Sequence, residues 1–217
     1  MTIKRRAISD NQKEERRQII LNKAWELLQD RRYETINIVD VAHSLELAKG
    51  TLYLYFPTKE ALFLAVLEQQ FEQWFNEIDA KLQNHQPKLT VELLARMITA
   101  SLEAKPRLSR LFAIAHVILE QNIDFAIAKS YKEMLHGRVR RTGELLEQHL
   151  SFLHAGQGAQ FLLRAYSVVI GVENLARPAE VVQTVLESDS DLALFLVDFS
   201  TELFEMLVAI LRSYQGV

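Results

Sequence analysis

The sequence predicts an all-α protein, and three observations carry that prediction. Apolar residues recur at steps of three and four along most of the 217 residues. No run alternates apolar and polar residues in the way a half-buried strand does. Residues that interrupt helices are few, with 4 prolines and 7 glycines. Hydrophobic residues make up 49% of the chain and charged residues 24%, the balance of a globular protein large enough for a real core. The predicted architecture is a small N-terminal three-helix head with a helix-turn-helix, followed by a larger helical bundle. The head is expected over residues 1–57 and the body over residues 58–217, with a helix over 58–82 connecting them.

The first helix is expected from Gln12 to Asp30, where Ile20, Ala24 and Leu27, with Leu21, Trp25 and Leu28, form a wide apolar face. Asn37 then stands before "NIVDVAHSLEL" as an N-cap, with Asp40 at the third helical position completing a box-like pair. A third short helix covers Ala48 to Leu54. Thr58 caps the fourth helix, with Glu60 in its first turn. The apolar stripe of that helix is Leu67, Phe71, Trp74, Phe75, Ile78 and Leu82. "NHQPK" breaks the pattern after it. Further helices are expected at Val91–Ala104, Arg107–Gln121, Phe125–Leu150, Gln157–Ala176, Ala179–Leu186 and Asp191–Tyr214, with joints at Pro106, Pro178 and Ser188–Ser190.

Two short helices packed on a longer first one describe a helix-turn-helix. In it Val41, Ala42, Leu45, Leu47, Leu52 and Phe56 form a small core. Lys49, Thr51, Tyr53 and Tyr55 then lie on other faces, and a helix of under three turns offers a cation, a hydroxyl and phenols to something polar. A DNA major groove presents base edges and phosphates at that scale. Gly50 permits close backbone approach. Thr58 and Lys59, at a helix start, suit a phosphate. Charge is distributed in the same sense. The chain has net charge −3, but residues 1–60 carry 11 Lys and Arg against 9 Asp and Glu. The cluster Lys4, Arg5 and Arg6 comes before any acid, as either a solvated arm or one that touches nucleic acid.

The stretch "YETINIVDVAHSLELAKGTLYLYFPTKEALF", Tyr33 to Phe63, resembles the N-terminal domain of the tetracycline-repressor (TetR) family of bacterial transcription regulators. The resemblance covers Gln12 to Phe63; beyond it the body is similar to the family only in being helical. It implies that Lys49, Gly50, Thr51 and Tyr53 are recognition-helix contacts and that Tyr55 reaches the DNA backbone. It also implies that Thr58 and Lys59 bind phosphate and that Asn37 caps its helix while touching a phosphate. There are three departures from the family pattern: Glu46 where glycine is usual in the turn, Ala48 in place of a Ser or Thr cap, and Leu54 in place of an aromatic or His.

"FLLRAYSVVIGVENLA" and "LALFLVDFSTELFEMLVAILRSY" are apolar almost all round, so these helices are central or meet another subunit. The family resemblance implies a homodimer through these last two long helices, with Gly171 allowing close approach. It also places a small-molecule effector between the fourth helix and this pair. Apolar candidates there are Phe71, Trp74, Phe75, Phe112, Leu135 and Phe161. Polar candidates are His116, Glu120, Tyr131 and Tyr166, with His116 and Glu120 four apart on one helix. The implied function is a ligand-responsive regulator, a repressor released from a palindromic double-stranded DNA operator by an apolar or aromatic effector. The alternatives are an activator, an effector-independent regulator, or a helical-bundle enzyme with a vestigial head.

No motif calls for catalysis, a cofactor or a metal. Glu133 and His136 make one ExxH where a di-iron bundle needs two, and His116 with Glu120 lacks a third ligand. Arg138, Arg140 and Arg141 read as a solvated face. There is no cysteine and no apolar run near the ~20 residues of a membrane helix. The N-terminus lacks the apolar core of a signal peptide, so the expected location is cytoplasmic.

Overall fold

The computed structural model describes residues 10–84 and 89–216, and among them there is no strand. The basic cluster Lys4–Arg6 and the break at 85–88 lie outside the described residues. The chain divides into two compact units. One contains the described residues up to Val66 together with Val117–Asp124, and the other contains Leu67–His116 and the residues from Phe125 onward.

In the first unit, helix α1 runs Asp10–Leu27 and buries Ile20, Leu21 and Ala24. A 3-10 turn at Tyr33–Thr35 leads to α2, Ile38–Ser44, whose start carries the expected capping box. The Asn37 N–H donates to the Asp40 carboxylate at 2.8 Å. Helix α2 ends in a turn whose bonds are those of a Schellman motif. Leu47 N–H donates to Ala42 C=O at 2.9 Å, and Glu46 N–H donates to His43 C=O at 3.1 Å. This motif puts Glu46 at φ 53°, in the left-handed region where glycine is at home. Helix α3, Lys49–Tyr53, is shorter than expected, and Ala48 gives it no side-chain cap. The head core is Ile36, Ile38, Val41, Ala42, Leu52 and Phe56, whereas Leu45 and Leu47 are only half-buried.

Helix α4, Lys59–Gln83, starts under a cap supplied by Thr58, whose Oγ1 accepts from Ala61 N–H at 3.0 Å. The unit boundary falls within α4, after Val66. The second unit continues with α5, Val91–Glu103, capped by Thr90, and α6, Pro106–Ile114, with proline at its first position. A π-helical turn, Ala115–Leu119, extends α6. Then follow α7, Phe125–His149, α8, Gln157–Ala176, and α9, Glu180–Ser188. The last helix, α10, is Phe199–Ser213 and does not begin at Asp191 as expected. Asp189 caps a separate 3-10 turn at Ser190–Phe195, and Asp198 restarts the helix by accepting from Thr201 N–H at 2.8 Å.

Two interactions set the packing of α7. At Gly143 a Cβ would come within 2.5 Å of Ala159 N, and at Gly158 one would come within 2.1 Å of Gly143 O. These glycines therefore let α7 and α8 cross at backbone contact. Gly171, the expected close-approach residue, has nothing within 4 Å of such a Cβ. On its other side, α7 meets α4 through a polar seam. Thr142 donates to the buried Asp79 at 2.6 Å, Arg141 pairs with Asp79 at 3.1 Å, and Arg138 pairs with Glu72 and donates to Asn76 at 2.9 Å. Arg138 is thus engaged across a helix interface, whereas Arg140, paired with Glu144 on its own helix, and Arg141, exposed while it pairs with Asp79, fit the solvated reading.

Candidate nucleic-acid interface and cavity

Helix α3 is held to the head by Leu52, fully buried, and by Phe56 just beyond it, 3% exposed. That anchoring turns Lys49, Gly50 and Tyr53 to the exterior, with Thr51 and Tyr55 half-buried beside them. The Lys49 ammonium lies 5.6 Å above the Tyr53 ring, so the two form one cationic and aromatic surface. A Cβ at Gly50 would meet nothing within 4 Å, so the protein's own packing does not require glycine there. Leu54, at the end of α3, is 81% exposed. Asn37, Thr58 and Lys59 belong to the same unit.

Thr58 and Lys59 have internal partners that the sequence did not announce. Thr58 Oγ1 donates to Asn122 C=O at 3.0 Å, and the Asn122 amide reaches Glu60 at 3.5 Å. Lys59 Nζ donates to Tyr33 C=O at 2.6 Å and sits 3.8 Å from the Tyr33 ring centroid. Burial of its ammonium lowers the Lys59 pKa from its ordinary value, and the nearby Glu34 and Glu60 carboxylates oppose that shift. Burial likewise raises the Tyr33 hydroxyl, with Glu60 and Glu34 adding to the effect. Nothing in the local sequence pairs Thr58 with Asn122, because the contact depends on a distant segment folding back.

The second unit encloses a cavity of about 490 Å³. Phe71, Trp74 and Phe75 of α4 form one wall, Ile98 and Leu102 of α5 with Phe112 of α6 another. Lys132, Leu135, His136 and Val139 of α7, and residues from Leu162 to Val169 of α8, complete it, with His116 on the π turn and Tyr166 facing in. The aromatic rings stack on one another: Phe71 and Phe112 lie 4.4 Å apart at 14°, and Phe71 and Phe75 lie 5.9 Å apart. Tyr166 meets Phe112 and His116 edge-on, each at 5.6 Å. The buried Trp74 N–H donates to Ser101 Oγ at 2.9 Å.

The cavity thus brings together Phe71, Trp74, Phe75, Phe112, Leu135, His116 and Tyr166 from the sequence candidates. Glu120, Tyr131 and Phe161 are not in its lining. Glu120 follows the π turn Ala115–Leu119 that carries His116. Tyr131 is 1% exposed and sits one position off the lining stripe of α7; Phe161 is fully buried in the core. Lys132 and His136 were missed as lining residues. Their spacing with Leu135 and Val139 was visible, but a lysine and a histidine on a helix read as solvent-facing. Among the described residues no group of three His, Cys, Asp or Glu could hold a metal ion.

Residues 20–66 match the model of the bacterial regulatory proteins of the tetR family, and residues 68–215 match that of the tetracyclin repressor-like C-terminal domain. The chain belongs to the TetR family. The family is one of bacterial regulatory proteins. Among curated relatives, the HTH-type transcriptional repressor KstR of Rhodococcus jostii is 32% identical over 105 residues, covering 47% of this chain and 48% of that protein. The match therefore spans about half the length of that relative. Among solved structures, the TetR family repressor AlkX of a Dietzia species, implicated in biodegradation of n-alkanes, aligns with TM-score 0.56 and 19% identity. That alignment covers 93% of this chain and 96% of AlkX. FadR of Bacillus subtilis, solved with stearoyl-CoA, aligns with TM-score 0.50 and 17% identity over 88% of this chain and 97% of FadR. The three departures from the TetR pattern take physical form here: a strained Glu46, an uncapped α3 and an exposed Leu54.

Proposed function

We propose that this TetR-family chain is a transcriptional repressor that binds a palindromic double-stranded DNA operator as a homodimer and releases it when a small apolar or aromatic effector fills the cavity. The observation that carries the DNA reading is the exterior face of α3, where Lys49, Thr51 and Tyr53 are presented by a helix locked through Leu52 and Phe56. Lys49, Thr51 and Tyr53 are assigned to base edges, and Gly50 to close approach of the sugar-phosphate backbone. Asn37, Tyr55, Thr58 and Lys59 are assigned to phosphates. Since the Thr58 hydroxyl already donates to Asn122, its contribution to a phosphate would come from the helix start rather than from its own proton.

In this reading residues 1–57 bind DNA and residues 58–217 bind the effector and dimerise, through α8 and α10. Exposed apolar residues on those helices, Leu175 at 61% and Met206 at 43%, support the pairing. The open surface of α8 at Gly171 supports it as well. The dimer would hold its two α3 helices about 34–36 Å apart, one turn of the duplex. An effector that binds better to a differently spaced state lowers operator affinity. Helix α4 carries Lys59 and, about 22 Å further along, the cavity residue Trp74. The structural neighbours AlkX, implicated in biodegradation of n-alkanes, and FadR, solved with stearoyl-CoA, accord with an effector that has a large apolar part. Among the described residues no helix is long and apolar enough to cross a membrane, and a DNA partner accords with a cytoplasmic protein.

The test is a gel shift with DNA from upstream of the protein's own reading frame. The wild type is expected to shift it, and Lys49→Ala/Tyr53→Ala, shown folded by circular dichroism, to lose the shift. Equal binding by the variant overturns the assignment.

A further inference from the structure

We infer that Leu54 takes part in reading the operator: its side chain packs on the 5-methyl group of a thymine in the major groove, at one symmetry-related position in each half-site. The inference rests on the DNA reading of α3 and adds to it a base-discriminating residue that makes no hydrogen bond.

The backbone sets where Leu54 points. It follows the last residue of α3 and is still helical, at φ −71° and ψ −22°, with its N–H donating to Thr51 C=O at 3.2 Å. At about 100° per residue, Leu54 lies about 160° around the helix from the buried Leu52, and Gly50 lies about 160° from it in the other sense. The two therefore flank the direction that points away from the head core. Helical side chains lean toward the preceding turn, which for Leu54 is the turn of Gly50. The space that a Cβ at Gly50 would enter is open, so no side chain there covers the leucine. Leu54 is 81% exposed, against 54% for Ile19 on α1 and 47% for Val39 on α2.

A single exposed leucine is ordinary on a protein surface. Position distinguishes this one. Lys49 and Tyr53, exposed on the same helix, offer an ammonium and a phenol, while Leu54 has nothing to donate or accept. Bringing α3 into a major groove strips water from whatever Leu54 meets. Against a phosphate, or against the polar edges of a purine or a cytosine, that water would leave without a replacement hydrogen bond, which is costly. The major groove offers one apolar group, the C5-methyl of thymine. Contact with it removes apolar surface from water on both partners. Leucine at this position therefore favours a thymine by packing and disfavours the other bases by leaving their polar edges unmatched.

Thymine and uracil differ by that methyl alone, which makes the test direct. Duplexes bound by the full-length wild type are selected from a random-sequence pool. In the tightest binder, each symmetry-related pair of thymines is replaced in turn by uracil, and affinity is read by fluorescence anisotropy. One pair is expected to be sensitive. Loss of one methyl should weaken binding about fourfold and loss of both about 15-fold, the effect of one buried methyl group per half-site. Leu54→Ala, with an unchanged melting curve, should bind the thymine duplex more weakly, be indifferent to uracil at that pair and keep wild-type responses elsewhere. Leu54→Met, which keeps an apolar tip, should retain the sensitivity. A methylated cytosine presents the same group, so at that pair 5-methylcytosine should bind the wild type tighter than cytosine does. A selected duplex without symmetric thymines, a wild type indifferent to every uracil, or a sensitive pair that stays equally sensitive in Leu54→Ala overturns the inference and leaves the DNA reading standing. If no duplex is selected, or if folded Lys49→Ala/Tyr53→Ala binds the selected duplex as the wild type does, the DNA reading of α3 fails and this inference with it.

Discussion

Glu46 is held left-handed by the two backbone bonds that close α2, and its side chain gains nothing visible in return. An L side chain in that region costs about 1 kcal/mol relative to glycine. Glu46→Gly should therefore raise the stability of the head by about 1 kcal/mol in denaturant unfolding, despite glycine's greater unfolded-state entropy. This strain was legible in the sequence, because a turn of known geometry lacked its usual glycine. The same is not true of Lys59. Its sequence position indicates a phosphate contact, while its bonds to the Tyr33 carbonyl and ring depend on how a 3-10 turn folds against α4. Lys59→Ala is accordingly expected to weaken DNA binding and also to lower the melting temperature, so both must be measured on one preparation. Glu173 gives a pH prediction. Burial raises its carboxyl pKa above the ordinary 4.5, with Arg177 and Arg110 only partly opposing. The folded state therefore binds a proton more readily than the unfolded chain. The stability attributable to this group is fully present below its unfolded pKa and is lost as pH rises through its raised folded value. Relative to Glu173→Gln, the wild type should gain stability as pH is lowered from 7 toward 5, in paired urea titrations; a constant difference would mean that the carboxyl is not desolvated.

At the scale of elements, the crossing of α7 over α8 and the outer face of α8 make opposite demands on glycine. Gly158→Ala places a methyl group against the Gly143 backbone, so the helices must separate. Overpacking of this kind costs about 1–3 kcal/mol, and more where backbone is the obstacle. Gly171→Ala meets open space and should stabilise the isolated helix by up to about 1 kcal/mol. If α8 packs on its counterpart in a dimer, Gly171→Ala should instead weaken association. Melting curves and sedimentation velocity on the same variant separate the two effects. Helix existence was readable from apolar periodicity nearly everywhere, but the partner of each glycine was not, since helix crossing points are set by tertiary packing. The division of the last predicted helix at Asp198 was missed for a related reason. Its apolar run is continuous through Leu192–Val197, and only the two aspartate caps reveal the break.

For the whole molecule, the claim is that a folded head presents α3 to DNA and that the protein acts as a dimer. Phe199 and Phe204 are poor probes of dimerisation, because the Arg177 and Arg96 side chains of the same protomer cover their rings. Leu175→Glu/Met206→Glu puts charge on the outer faces of α8 and α10 instead. It should yield folded monomers in sedimentation and a large loss of operator affinity; a variant that stays dimeric would place the interface elsewhere. The family and the fold class were legible because the head motif is short and local. The place of Lys132 and His136 in the cavity lining was not, since the cavity forms where several helices converge and each residue alone resembles surface. The most direct test is fluorescence anisotropy of a labelled operator, titrated with wild type and with folded Lys49→Ala/Tyr53→Ala at several salt concentrations. The wild type should bind with an affinity that falls steeply as salt rises, reflecting counterions displaced by several phosphate contacts. The variant should lose about 1–3 kcal/mol for each base contact removed and discriminate poorly between operator and random duplex. A folded variant that binds both DNAs as the wild type does would contradict the assignment of α3 as the DNA-reading element.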